Sequence, residues 1–487
     1  MSYTKKSRLN ASSFRVIKDA MLQSDELPLA DVIDDQQWQA VFDEHGIDFG
    51  KDDDAVYTPA ITLWGLISQV FFKGENRSCK AAVMRIASLW GARGREVCGT
   101  NTGAYCRARL KITFEAVRDI ARKLALASEA AFEREATEDN DEAHIHPVVE
   151  QVQRQPTAGR ILLFDGFTIT AADTPENQEE FPQNPAQKEG LGFPLIRCVA
   201  LISMVTGMLF DLAIGPYSGK QSGETALLWQ LLGQLRPGDT LVADSYLCTY
   251  WIVAACQVRG VNIVMKNHHK RNDHPRDARQ LSRYQRVTTW HRPSRPDWMT
   301  EEEYAACPKE IEIRLVDVTI DQKGFRSRQH TIATTILETK VYSREWISSV
   351  YRSRWMVELD IRSIKCSLDM DIIRAKTPAM VRTEIWSCLL AYNLIRMKML
   401  QCCAIHGDMP RSLSFTTTMQ LLANNWALAS ANLTRALVEL GKQAPRSETV
   451  GNRLDRVEPR ANKRRPKLLA LLTKPRHQAR QELGEAA

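Results

Sequence analysis

Ile161-Leu162-Leu163-Phe164-Asp165-Gly166 is a short apolar run that ends on a carboxylate, and Thr240-Leu241-Val242-Ala243-Asp244 repeats the pattern. Such runs fit strands buried on both faces. In open α/β sheets, ligands bind beyond the carboxyl ends of the strands. One aspartate in that place is commonly a turn former; a second in the same setting makes the pair worth following. Asp211, after Leu209-Phe210, lies inside a strand and reads as structural or surface.

Around these runs the pattern stays mixed. Leu195–Val205 and Met208–Ile214 read as a hairpin turning at Thr206-Gly207. Glu224–Leu235 reads as a helix, Leu247–Val258 as another, and Val261–Met265 as a strand. A basic block rich in Pro and Arg follows, then strand-like runs at Ile311–Ile320 and His330–Leu337. From Ser343 onward the pattern is helical. This order predicts a mixed α/β core with an insertion late in the chain. Upstream, 55–130 reads as helical. Thr58-Pro59 starts one helix, and Ser78 caps a second that the Gly91–Gly94 turn stops. A third begins near Asn101 and presents Arg107, Arg109 and Lys111. That arrangement suits a small DNA-binding module, and equally a helical domain with ordinary surface arginines. The acidic stretch Glu133–Glu142 reads as a linker.

Composition narrows the class. The 487 residues are 44% hydrophobic and 25% charged, which excludes wholesale disorder, collagen and a disulfide mini-scaffold. The uncharged stretches Ala55–Phe72 and Ser412–Thr434 carry too many polar residues for a membrane span. No secretory h-region opens the chain. Eleven cysteines without a C-x-x-C pair point to a reduced, cytoplasmic protein. The net charge of +7 is uneven: Lys266–Asp297 and residues 451–487 carry +6 each, leaving −5 for the rest. Two basic patches on a mildly acidic body fit a phosphate-binding surface, and also a solvated loop with a basic tail.

Tyr351–Met370 carries the most information. At about 100° per residue, Tyr351, Arg354, Glu358 and Lys365 fall at about 0°, −60°, −20° and −40°. Val357, Ile361, Ile364 and Leu368 form an apolar stripe beside them. The segment therefore reads as one helix with a carboxylate held between cations along the edge of its buried face. A salt-bridged surface helix has similar spacings, but here a tyrosine shares the stripe and the stripe borders the core.

Tyr351-x2-Arg354-x3-Glu358-x6-Lys365 matches the signature of a bacterial transposase group, insertion-sequence family four. Asp165-Gly166 resembles that family's first acidic motif and Val242-Ala243-Asp244-Ser245-Tyr246 its second. Asp173-Thr174-Pro175-Glu176-Asn177 and Ala391-Tyr392-Asn393-Leu394-Ile395-Arg396 are similar to it too, as are Ser78-Cys79 and Asn101–Cys106. The resemblance covers roughly 55–475.

It implies an RNase H-like catalytic core with a β-rich insertion at about 267–340, within a catalytic domain at 151–400. A helical DNA-binding domain with its linker would occupy 1–150, and a helical region with a basic tail 401–487. Asp165, Asp244 and Glu358 would be catalytic and hold two divalent ions about 3.5–4 Å apart. An oxygen donor set favours Mg2+, with Mn2+ as substitute. Tyr351, Arg354 and Lys365 would hold phosphates near the cut. The partners would be double-stranded DNA, as terminal inverted repeats and target, and a second subunit in the synaptic complex, without a membrane. A bacterial, nucleoid-associated location goes with this. The family uses an insertion tryptophan for a flipped base, for which Trp290 and Trp298 are candidates. Lys463, Arg464, Arg465 and Lys467 are candidate DNA contacts in the tail, with Leu468, Leu469, Leu471 and Leu472 docking on protein. A nuclease without strand transfer would show the same acids, and a DNA-binding regulator would need only the N-terminal helices and tail.

Overall fold

The computed structural model describes residues 13–52, 55–92, 98–138, 159–219, 222–320, 328–426, 442, 446 and 473–485. The helices are α1 (Arg15–Ala20), α2 (Asp35–Glu44), α3 (Pro59–Phe71), α4 (Cys79–Ala92), α5 (Thr102–Arg109), α6 (Phe114–Glu138) and α7 (Pro175–Glu180). Then come α8 (Glu224–Leu231), α9 (Tyr250–Val258), α10 (Glu301–Ala306), α11 (Arg344–Ser353), α12 (Met356–Arg362), α13 (Pro378–His406), α14 (Phe415–Asn425) and α15 (Arg476–Glu485). The strands are β1 (Ile161–Thr170), β2 (Leu195–Ser203), β3 (Leu209–Pro216), β4 (Thr240–Ala243) and β5 (Asn262–Lys266). Four more follow: β6 (Arg279–Ser282), β7 (Gln285–His291), β8 (Glu310–Ile320) and β9 (Arg328–Thr334).

Helix starts follow local chemistry. Thr58 Oγ1 accepts from Ile61 N at 3.3 Å, with Pro59 at the first helical position. Ser78 Oγ accepts from Ala81 N, Asn101 Oδ1 from Gly103 N, and Ser343 Oγ from Trp346 N. Each of these caps stands where the sequence puts a helix start.

All nine strands share one sheet, in the order β3-β2-β1-β4-β5-β9-β8-β7-β6. β1 is antiparallel to β2 and parallel to β4, and β4 is parallel to β5. This half is the RNase H-like core. The insertion does not build a separate sheet. β9 pairs antiparallel with β5, and β8 and β7 follow antiparallel, so the inserted strands extend the core sheet.

Contacts divide the chain into two compact units, one of Met1–Ile145, Thr206–Phe210 and Asp360–Val450, the other of His146–Val205, Asp211–Leu359 and Gly451–Ala487. The first unit joins stretches on both sides of 150 and of 400. The reason is α13, which packs on α6, α3 and α14. It is long and apolar enough to cross a membrane by length and composition, yet 89% of its most apolar window is buried, as in a core helix. Its polar residues close on N-terminal backbone: Asn393 Nδ2 donates to Ala121 O at 3.1 Å, and Lys398 Nζ to Leu22 O at 3.0 Å. Arg77, also buried, donates to the carbonyls of Leu368 and Asp369. The expected acidic linker is shortened too. Residues 133–138 continue α6, a helix rich in Ala and Glu, and 139–142 lie outside the described residues. The tail cations Lys463, Arg464, Arg465 and Lys467 and the leucines after them also lie outside.

Candidate active site

The strand unit brings the two aspartates together through register. β1 and β4 pair in parallel at Ile161–Thr240, Leu162–Leu241 and Leu163–Val242, a constant offset of 79 positions. The same offset carries Asp165 to Asp244. Pairing ends at Leu163, two residues short of Asp165, while β1 goes on beside β2 to Thr170. The two carboxylates therefore stand where β1 and β4 part. Asp165 lies within its strand and not at the end, because β2 keeps β1 extended; Asp244 follows the last residue of β4. Asp165 Oδ1 accepts from Gly166 N, and Asp244 Oδ1 from Tyr246 N, both at 2.9 Å.

The signature segment is not the single regular helix that the spacing suggests. α11, which packs on β4, β5 and β8, ends at Ser353. Arg354 N, Val357 N and Glu358 N then bond to the carbonyls three residues back, each at 3.1 Å. That tightened turn leads into α12. A π turn over Ser363–Ser367 loosens the chain again, a feature frequent at functional sites. Over- and under-winding nearly cancel along the segment.

Arg354 Nη2 donates to Glu358 Oε1 at 3.0 Å. Tyr351, buried on the same turn, shares a hydrogen bond with Arg354 and lies within the field of Asp244. Lys365 belongs to the helical unit, where its Nζ pairs with Asp371 Oδ1 at 3.0 Å. Burial pushes the Asp165 carboxyl up to about 6; Gly166 N–H and Arg354 oppose this, and the charges of Glu358 and Asp244 add to it. Three acids and one arginine thus share one electrostatic neighbourhood. Among the described residues no three His, Cys, Asp or Glu side chains yet converge as on a bound ion, and Glu358 is turned to Arg354. The donor set is nonetheless suited to a hard divalent cation: carboxylate oxygens without thiolate or a histidine cluster.

Sequence reasoning did not connect the basic block with Asp244. His268, stacked on His269, has its pKa lowered mainly by burial, then by His269, Lys270 and Arg271, while Asp244 raises it. Other cations of the block are engaged internally: Arg286 binds Asp317, and Arg292 binds the carbonyls of Tyr304 and Cys307. Lys270, Arg276, Arg279 and Arg283 are exposed.

The two candidate tryptophans differ. Trp290 is 6% exposed on β7, with the Arg271 guanidinium 3.6 Å above its ring. Trp298 is 50% exposed and meets Trp229 and Trp251 edge-on. In the helical unit, Arg107 and Lys111 are exposed, whereas Arg109 donates to Cys79 Sγ and lies over Tyr105.

The sequence matches the Transposase DDE domain family over residues 156–394, a span that holds all three acids. It is 22% identical over 313 residues to the Transposase InsG for insertion sequence element IS4 of Escherichia coli (strain K12), covering 63% of this chain and 68% of that protein. The chain carries a Transposase DDE domain, and its sequence is similar to that of an insertion-sequence transposase over most of that protein's length. The transposase is also 38% identical over 66 residues to the transposase for insertion sequence element IS421 of Escherichia coli, 14% of this chain and 18% of that one. Among solved structures, a piggyBac transposase synaptic complex with hairpin DNA aligns with TM-score 0.41 and 11% identity, covering 91% of this chain and 84% of that one. The enzyme is a DNA transposase, and a divalent metal is the cofactor general to its family.

Proposed function

We propose that the transposase binds the terminal inverted repeats of a bacterial insertion sequence, nicks each end with water and moves the element by cut-and-paste. The freed 3′-OH then attacks the opposite strand to form a hairpin, which water reopens before the 3′-OH joins target DNA. The observation that carries this reading is the β1–β4 register, whose offset sets Asp165 and Asp244 side by side where the strands part, in a charge field shared with Glu358.

Asp165, Asp244 and Glu358 would hold two Mg2+ ions, or Mn2+ in their place. Bound there, such ions supply nucleophile activation and charge neutralisation at the reacting phosphodiester. Arg354 and Tyr351 hold Glu358 and the scissile phosphate in register, Arg354 as a planar fork. Lys365 contributes a point charge to the DNA backbone. Arg107, Arg109 and Lys111 contact the terminal repeat, with Arg107 and Lys111 the freer pair, and Lys463, Arg464, Arg465 and Lys467 contact phosphates outside the cut. Trp298, not Trp290, is the aromatic available to a flipped base, and two subunits join the two ends.

The test uses the full-length protein on DNA carrying the element's own ends. Asp165→Asn, Asp244→Asn and Glu358→Gln should each abolish nicking and strand transfer while binding the ends nearly as well as wild type, since affinity comes mainly from cations. Substantial Mg2+-dependent cleavage by any one variant removes that residue from the site. Pre-cleaved ends decide between transposition and simple nuclease activity: a nuclease would not join them to target.

A further inference from the structure

Glu224 is the first residue of α8, after its N-cap Gly223, and α8 packs on β2. No motif marks it. Its side chain lies against Gly166: a Cβ built on Gly166 would stand 2.6 Å from Glu224 Oε1 and 2.7 Å from its Cδ. Gly166 does not have positive φ, so the backbone angle is not what demands glycine there. A Cβ there would instead push aside the Glu224 carboxylate, the far end of a flexible side chain. Gly166 is also the residue whose amide holds Asp165.

Charge places Glu224 on the same site. Its pKa is raised, most by burial; Arg197 acts downward and Asp244 upward. Glu224 therefore lies against Gly166 and within the fields of Arg197 and Asp244. Among the described residues no hydrogen bond or ion pair claims its carboxylate. A half-buried acid kept only for structure is normally paired; Arg197 eases its charge without an ion pair, and a cation shared with Asp244 would ease it further.

We propose that Glu224 is a fourth carboxylate of the metal site, acting on the same divalent ion as Asp165 and Asp244, directly or through one water. This rests on the metal-dependent reading above. It also gives a reason for Gly166: the bare Cα lets a side chain from α8 reach the gap between β1 and β4.

The experiment is Mn2+ binding to the full-length transposase without DNA, read by titration calorimetry and by the electron-spin signal of free Mn2+. Wild type, Glu224→Gln, Gly166→Ala and Asp244→Asn are compared, with circular dichroism reporting the fold. Glu224→Gln keeps the shape and removes the charge, so it should fold normally and bind Mn2+ at least about tenfold more weakly. Gly166→Ala should weaken Mn2+ similarly by displacing Glu224. If Glu224→Gln misfolds, Glu224→Asp, which keeps the charge and shortens its reach, gives the same comparison. Wild-type Mn2+ affinity in the Glu224 variant, with loss in Asp244→Asn, overturns the assignment of Glu224 alone. No Mn2+ binding by wild type overturns the metal reading itself and this inference with it.

Discussion

Asp165 is held by burial and by two neighbouring acids at a pKa of about 6 against an ordinary 3.8. The folded protein thus binds this proton more tightly than the unfolded chain. Stability from this group is present at low pH, falls as pH rises from about 4 to about 6, and stays at its lower value above. A shift of that size corresponds to roughly 3 kcal/mol at most, and remaining solvent contact brings the expectation to about 1–3 kcal/mol. Asp165→Asn removes the penalty. In chelator at pH 7.5 the variant should melt a few degrees above wild type, with the difference closing at pH 4.5. Mg2+ should stabilise wild type and not the variant. Equal melting at both pH values, or an Mg2+ shift kept by the variant, would refute the electrostatic account. Arg354 poses a different test, since it bonds Tyr351 and Glu358 at once. Arg354→Lys keeps the charge and loses the fork, so cleavage should fall about tenfold or more with end binding unchanged. Cleavage at the wild-type rate would leave Arg354 no more than a counter-charge. Glu224 shows the limit of reading residues along a chain: its only signal is its contact with Gly166, 58 positions earlier.

Elements whose cause is local were legible in the sequence. Thr58, Ser78, Asn101 and Ser343 cap helices because a side-chain oxygen meets an amide two or three residues on, whatever the tertiary setting. Most strands were legible through their apolar runs; β6 and β7, inside the basic block, were not, nor was the pairing of β9 with β5 that merges insertion and core. The irregular winding at 354–367 was hidden because its tight and loose turns offset each other. Nor could sequence rank Trp290 against Trp298, since the difference is burial. That difference is measurable. Trp290→Ala removes a buried indole and the partner of Arg271, and should cost about 3–5 kcal/mol. Trp298→Ala gives up mainly edge contacts with Trp229 and Trp251, about 0.5–1.5 kcal/mol, and should instead impair hairpin formation. Denaturant unfolding with a hairpin assay checks both; similar stability losses in the two variants would contradict the burial difference.

At the scale of the whole molecule, contacts join helices that lie far apart along the chain. Residues 1–150 look self-contained in sequence, with helices, a turn and a basic third helix. What completes their core lies more than two hundred residues later, and no periodicity announces so distant a partner. α3 and α6 bury apolar faces on α13, where Asn393 and Lys398 satisfy backbone carbonyls of the N-terminal segment. Arg77 is only 3% exposed because the carbonyls of Leu368 and Asp369 and the carboxylate of Glu384 surround it. A fragment ending at 150 would expose these faces to water and leave Arg77 without partners. It is therefore expected to lack a cooperative thermal transition and to bind terminal-repeat and random DNA alike. The full-length protein should melt cooperatively and prefer terminal repeats. Calorimetry and competition binding on both proteins decide it. A cooperative melt with repeat preference in the 1–150 fragment would show that α13 merely covers a domain already able to fold alone. A fragment that binds only without folding would leave its cations as the whole of its affinity, with a salt dependence set by phosphate contacts and no sequence preference.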